Sequence, residues 1–352
     1  MPRLPATCDV LVVGAGPIGL ETSTVLQDEG HNVVVVDAGP VGATIARTFP
    51  PHTRFFTSPE RLAIRGWPVP STTQEKTTGE EYLAYLRMFV VGAGLRVWTF
   101  RKVVSIAGER GDFVITTEDP DAGRVAIRAQ VIVLATGGTD RPRRLGVPGE
   151  NLACVHTELG DPHRFFGRTV LVVGGRNSAA ESALRLYRVG ARVHLAHRAV
   201  ELHPRVKHWI RPEVQGLLAE GEIVGHLPRE VSRIDPGMVT LRSPGGGDAQ
   251  ATDVQVVEVD DVLLQIGFVQ DGGMFDLAGI DTVGTGGAPV LDVQTMESSV
   301  PGIYVVGTAS AGTQDRFEVF IENSHQHADR VAAALAGRPA PEPVAPRPLP
   351  ES

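Results

Sequence analysis

One pattern of apolar and polar positions occurs twice in this chain. Asp9–Val13 is a short, almost wholly apolar run, followed by the glycine-rich segment Gly14-Ala15-Gly16-Pro17-Ile18-Gly19, a helical stretch to about Glu29 and a second apolar run, Val33–Val36. Short uninterrupted β-branched runs predict strands buried on both faces, and the amphipathic stretch between them predicts the crossover helix of a β-α-β unit. The pattern restarts at Thr169, with a strand over Val170–Val173, a turn Gly174-Gly175-Arg176-Asn177-Ser178-Ala179, a helix to about Val189 and a strand over Arg192–Ala196. The repeat is more than one motif deep: Val131–Ala135 predicts a strand ending in Thr136-Gly137-Gly138, and Asp261–Ile266 predicts one ending in Gly267. A last strand is expected over Ile303–Val306, before Gly307, and a C-terminal helix from about Glu318 to Leu335.

Length agrees with this duplication, because 352 residues suffice for about two domains. Pro142, Pro148 and Gly149 punctuate the chain between the two halves and place a boundary near Glu150. The Pro-rich segment 338–352 is expected to be an extended tail without a core. No apolar run approaches the ~18 to 20 residues that span a bilayer, and the first apolar stretch is a strand and turn rather than a signal sequence, so a cytoplasmic protein is expected. Thirty-three basic against 41 acidic residues give a net charge of −8, which argues against a surface that wraps nucleic acid.

In the first unit, Gly14 permits the tight turn, Gly16 lets the backbone approach a pyrophosphate, and Gly19 lets the helix lie close to the strand; Pro17 opens that helix. The helix N-terminus presents free N–H groups and a positive dipole end to the anion. Asp37, at the end of the second strand, is placed to accept hydrogen bonds from a ribose 2′-hydroxyl. In the second unit Arg176 replaces the middle glycine, and the second strand ends in His194-Leu195-Ala196-His197-Arg198 with no acid. A carboxylate there would repel a 2′-phosphate, whereas Arg198 can clamp one, so NADPH is expected over NADH. Lys207 is either a second cation for that phosphate or a solvated surface lysine.

Metal and thiol chemistry find little support. His194 and His197 stand at odd spacing on a strand, and His325 and His327 two apart on a helix, so neither pair converges on a metal. The last two are read as capped or solvated side chains, with a proton donor near a cofactor as the alternative. Only Cys8 and Cys154 occur, far apart and in no C-x-x-C.

With two such sites in this order the chain resembles the thioredoxin-reductase-like flavoproteins. The stretches Thr48-Phe49-Pro50 through Phe55-Phe56-Thr57-Ser58-Pro59-Glu60, Gly174 through Ala180-Glu181, Lys207-His208-Trp209 and Phe320-Ile321-Glu322-Asn323 are similar to the bacillithiol disulfide reductase family. The resemblance covers roughly residues 9 to 335. It implies an α/β fold with two Rossmann-like, three-layer nucleotide-binding domains of the thioredoxin reductase type. An FAD-binding domain would be formed by 1–149 and 260–337, with an inserted NADPH-binding domain at 150–259. It further implies that Gly14, Gly16, Gly19, Asp37, Thr136, Gly137 and Gly307 hold FAD, that backbone around Ile321 and Glu322 faces the flavin ring, that Gly174, Asn177, Ser178, His197 and Arg198 hold NADPH, and that the protein is a homo-oligomer, most simply a dimer.

Two positions depart from the family. Many relatives carry Asp after the glycine of the last strand, to bond the flavin ribityl chain, where this chain has Thr308; a neutral hydroxyl in place of a charged acceptor loses on the order of 1.5 to 3 kcal/mol. The bacillithiol family also places cysteine inside its first glycine turn, where this chain has Ile18. The expected activity is therefore transfer of electrons from NADPH through FAD to an acceptor outside the chain, a small molecule or small redox protein. A ferredoxin or flavodoxin NADP reductase of the thioredoxin-reductase type, or a non-catalytic flavin or NADPH sensor, stand as alternatives.

Overall fold

The computed structural model describes residues 3–71, 73–119, 121, 123–245, 253–315 and 318–342. The chain divides into two compact units, one from Met1–Arg141 with Phe268–Pro346 and the other from Pro142–Gly267. The second unit is thus inserted into the first. Most of the tail expected from residue 338 lies outside the described residues.

The first unit is built on a sheet in which Val97–Trp98, Val33–Val36, Thr7–Val13 and Gly123–Leu134 lie side by side in parallel. Ile303–Val305 pairs with the end of Gly123–Leu134, so the last strand of the unit closes the sheet begun by the first. The strand expected over Val131–Ala135 is longer at its start: its first half pairs in antiparallel register with Phe113–Asp119, which pairs in turn with Lys102–Ala107. Alternation along each strand supplies both faces of the sheet. Val10, Val12, Val33 and Val35 meet Leu20, Leu26, Tyr82, Phe89 and Val331 on one side. Leu11, Val13, Val34 and Val36 meet Ile115, Ile127, Ile132 and Phe275 on the other.

The second unit repeats the theme. Ile223–His226, Arg192–Ala196, Thr169–Val173, Asp261–Leu264 and Val155–His156 form a five-stranded parallel sheet, accompanied by a three-stranded antiparallel sheet of Glu230–Asp235, Met238–Arg242 and Val254–Glu258. Both crossover helices fall where the pattern predicts, at Pro17–Asp28 and Asn177–Arg188.

The C-terminal helix differs from its expectation of one span over 318–335. It runs as Ile321–Ser324 and Gln326–Leu335, broken at His325. The first residues are held out of the helix by side chains: Gln314 Oε1 accepts from the amides of Glu318 and Val319, and Asn323 Oδ1 accepts from Phe320 N–H at 2.8 Å.

Candidate functional site: two glycine turns

In the first unit the parallel strands Thr7–Val13, Gly123–Leu134 and Ile303–Val305 end at one level, which brings the turn after Val13, the segment Thr136–Gly137 and the pair Gly307–Thr308 together. Gly14 has φ +115°, and a β-carbon on it would stand 2.3 Å from the Ala135 carbonyl oxygen. A β-carbon on Gly19 would stand 2.1 Å from the Gly14 carbonyl oxygen, so helix and turn touch through backbone alone. Gly16 is different in kind: a β-carbon there would meet nothing within 4 Å. Its residue caps a helix whose first position is Pro17 and whose N-terminus no side chain caps. An uncapped helix end facing open space over a glycine has the shape and polarity that a pyrophosphate requires.

Asp37 faces this turn and is already engaged. Its two oxygens accept from Ala15 N–H and Gly39 N–H, each at 2.7 Å, which ties the first turn to the end of the second strand. Burial raises its pKa against these two hydrogen bonds. Gln270, which sequence reading missed, donates to the carbonyls of Gly137 (3.1 Å) and Ala309 (3.0 Å) and so couples two of the converging loops. Thr308 stands beside them, its hydroxyl 4.0 Å from where a β-carbon on Gly137 would be.

The two histidines of the last helices are neither simply capped nor solvated. His327 is buried and accepts the Gly307 N–H at Nδ1 (3.0 Å), with its pKa pushed down to about 4 by burial and by Arg330 and His325. His325 bonds Glu21 and the Arg61 carbonyl. Glu21, a lone acid within Leu20-Glu21-Thr22-Ser23-Thr24-Val25, was the available sequence signal for that contact. Glu322, half-buried, has its pKa raised by burial.

In the second unit the turn after Val173 uses different means to the same end. A β-carbon on Gly175 would lie 2.3 Å from Nε2 of His197, so the imidazole lies directly over the glycine. Asn177 holds the neighbouring loop, its Oδ1 accepting from Lys207 N–H at 2.7 Å and its Nδ2 donating to the Arg205 carbonyl at 3.4 Å. Arg198 and Ser178 are exposed. Burial lowers the His197 pKa, as do the nearby charges of Arg198, His203 and Arg176, so the ring is a neutral group in a field of cations. Lys207 fits neither of its expected roles. It is buried and donates to Glu181 Oε2 at 3.1 Å, while Arg185 donates to Oε1 at 2.9 Å. The His194 ring stacks on His226 of the adjacent strand.

The two cysteines lie elsewhere. Cys8 is buried near the start of the first strand, its Sγ 3.7 Å from the Arg128 carbonyl oxygen and its pKa pushed up to about 12, mainly by burial. Cys154 is half-buried in the second unit. Position 18 is a buried isoleucine against Gly307. Among the described residues, no helix is long and apolar enough to cross a membrane.

Residues 11–307 match the pyridine nucleotide-disulphide oxidoreductase family, and the chain belongs to it. It is a thioredoxin-reductase-like flavoprotein, an FAD-dependent oxidoreductase. Bacilliredoxin reductase of Bacillus subtilis (strain 168) is 31% identical over 329 residues, covering 93% of this chain and 97% of that protein. The bacillithiol disulfide reductase of Bacillus cereus superposes with a TM-score of 0.86 at 31% identity, covering 94% of this chain and 99% of the other. A ferredoxin–NADP reductase of Ignicoccus hospitalis is 26% identical over 304 residues, covering 85% of this chain and 89% of that protein.

Proposed function

We propose that this enzyme binds FAD in its first unit and NADPH in its second, and passes electrons from NADPH to an acceptor outside the chain without a thiol of its own. The observation that carries this reading is the pairing of two glycine turns at uncapped helix N-termini with isoleucine, not cysteine, at position 18. FAD, when bound, supplies the two-electron carrier that the side chains lack. Gly14, Gly16, Pro17 and Gly19 shape the pyrophosphate cradle, with first-turn amides directed at the anion. Asp37 orients the turn through its two backbone bonds and retains lone pairs for a ribose hydroxyl. Thr136, Gly137, Gly307 and Thr308 would hold the rest of the cofactor, and backbone around Ile321 and Glu322 would face the flavin. In the second unit Gly174, Asn177 and Ser178 form the phosphate turn, His197 covers Gly175 as a neutral imidazole, and Arg198 supplies the charge that selects the 2′-phosphate.

The likeness to a ferredoxin–NADP reductase supports a second reading, in which the acceptor is a small iron–sulfur or flavin protein. Both readings are tested together. The purified protein is expected to be yellow, to release FAD rather than FMN, and to lose its visible flavin band on anaerobic addition of NADPH. A colourless protein that takes up no added FAD overturns the assignment. NADPH consumption with a panel of disulfides, quinones, ferricyanide, ferredoxin and flavodoxin then separates the acceptors. A homodimer is part of the proposal, and a monomer in sedimentation equilibrium at micromolar concentration would contradict it.

A further inference from the structure

His325 stands where the C-terminal helix breaks, and both of its ring nitrogens are engaged. Nδ1 is 2.5 Å from Glu21 Oε2, and Nε2 is 2.8 Å from the Arg61 carbonyl oxygen. A carbonyl can only accept, so Nε2 carries a proton. On the other side, a bare Nδ1 facing an ionised carboxylate at 2.5 Å would set two lone pairs against each other, so that contact also holds a proton. The ring thus carries one proton at Nε2 and shares a second with Glu21 across the short contact, with the Glu21 side chain only 6% exposed and that of His325 25% exposed.

The three partners come from three elements. Glu21 lies on the Pro17–Asp28 helix, whose N-terminus forms the first glycine cradle, Arg61 lies on Pro59–Leu62, and His325 directly follows Ile321–Ser324. We propose that His325 is a positioning residue whose protonated ring fastens the Ile321–Ser324 segment to the cradle helix and thereby sets the affinity for FAD. This rests on the reading above, in which Gly16 faces the pyrophosphate and Ile321–Glu322 the flavin ring.

The bridge is also open to solvent. Glu21 and His325 form part of the wall of a pocket of about 540 Å³, bordered by Thr24, Asp28, Arg65 and Trp67. A proton leaving the ring therefore has an exit. Arg61 and Arg65 are the facing cations, Glu322 and Asp28 the further acids, Tyr82 and Tyr85 the phenols that feel Glu21, and His327 the neighbouring imidazole. Burial lowers the His325 pKa, but the hydrogen bond and charge of Glu21, the Arg61 carbonyl and the charge of Glu322 outweigh it and hold the ring above its ordinary value. When pH rises through that value, one proton passes to solvent, Nδ1 and the carboxylate repel, and the fastening is lost.

The test is equilibrium FAD binding to the full chain, followed by flavin fluorescence from pH 6 to 9, with imidazole nitrogen NMR of the wild type alongside. Wild type should bind FAD about ten-fold more weakly across a single-proton transition above pH 6.5, the size expected for loss of a charged hydrogen bond. Glu21→Gln should move that transition to lower pH, and His325→Gln should bind weakly with no such transition. Overturning results are a wild-type transition that persists unchanged in His325→Gln, or a His325 ring that titrates at or below its ordinary value, a readout that needs no variant to fold. FAD binding at no pH overturns the functional reading and the coupling together, whereas binding with an unaltered profile in His325→Gln overturns the coupling alone.

Discussion

Gly307 donates its backbone N–H to Nδ1 of His327 across 3.0 Å, which fixes the imidazole as the neutral tautomer with its proton on Nε2. Protonation at Nδ1 would turn the acceptor into a donor and face it with another. The His327 pKa is depressed, to about 4, so the stability this arrangement contributes is complete above the ordinary value near 6.5 and is lost as pH falls toward 4. Roughly 3 kcal/mol is at stake over that window. Urea unfolding from pH 7 to 4.5 should show the wild type weakening with acid. His327→Asn, whose Oδ1 takes the place of Nδ1 and does not titrate, should show a shallower dependence, and equal slopes would remove His327 as the cause.

The three glycines of the first turn should separate fold from cofactor. Gly14→Ala and Gly19→Ala force a β-carbon to within 2.3 Å and 2.1 Å of backbone oxygens, and each should cost about 2 kcal/mol or more of stability. Gly16→Ala meets nothing within 4 Å of protein and should unfold like wild type while binding FAD more weakly. Thermal melts of the FAD-free proteins beside FAD titrations check this. Loss of stability in Gly16→Ala without loss of FAD would reverse the assignment of that space.

Both β-α-β units were legible because their signals are local. Short apolar runs, glycines at fixed spacing and a helix between them are all written within ~30 residues. What escaped was set by partners far along the chain. Lys207 looks like a surface lysine until Glu181, 26 residues away, is found beneath it. The partners of His325, at the break in the C-terminal helix, are Glu21, 304 residues distant, and a carbonyl at Arg61 that no composition reveals. Gly123–Leu134 was read short at its start because only its last four residues are buried continuously, while residues 123–129 pair with an antiparallel neighbour and are mostly exposed or alternating.

Arg198 is the exposed cation at the end of its strand, and its charge already lowers the pKa of His197. A charged hydrogen bond of roughly 1.5 to 3 kcal/mol corresponds to a factor of about 10 to 200 in affinity. Arg198→Ala should raise KM for NADPH by that order and leave NADH nearly unchanged. Steady-state kinetics with both coenzymes decide it, since equal losses would give Arg198 a structural role instead.

Glu181 and Lys207 are buried and Arg185 is half-buried, and the single carboxylate of Glu181 bonds both cations. Lys207→Met should cost about 1 to 3 kcal/mol in urea unfolding, because Glu181 loses one of its two cations and keeps Arg185. Adding Glu181→Gln should restore part of that loss. A single variant as stable as wild type would show that the cluster relaxes to reach water.

Electrons should leave from the flavin itself and not through a protein thiol. A thiol relay needs a thiolate beside the flavin, and ideally a second cysteine to resolve the mixed disulfide. Ile18 supplies no sulfur. Cys8 begins five residues before Val13 on an extended strand, roughly 16 Å of backbone from the turn, and its pKa near 12 keeps it a thiol at neutral pH. The Cys8→Ser, Cys154→Ser double variant should therefore retain NADPH oxidation with quinone, ferricyanide or oxygen at close to the wild-type rate, and wild type should reduce disulfides poorly. Disulfide turnover by wild type that vanishes in the double variant would show a thiol reaching the flavin after all. Ile18→Cys is the complementary variant, and its geometry is demanding: a β-carbon on Gly307 would lie only 3.2 Å from that of Ile18, so the new sulfur enters a space bordered closely by the last strand. Cysteine is smaller than isoleucine and should be accommodated with a modest loss of packing. Gain of disulfide reduction in this variant alone, without change in its activity toward ferricyanide, would show that the turn is otherwise competent and that the side chain at position 18 decides which acceptor the enzyme serves.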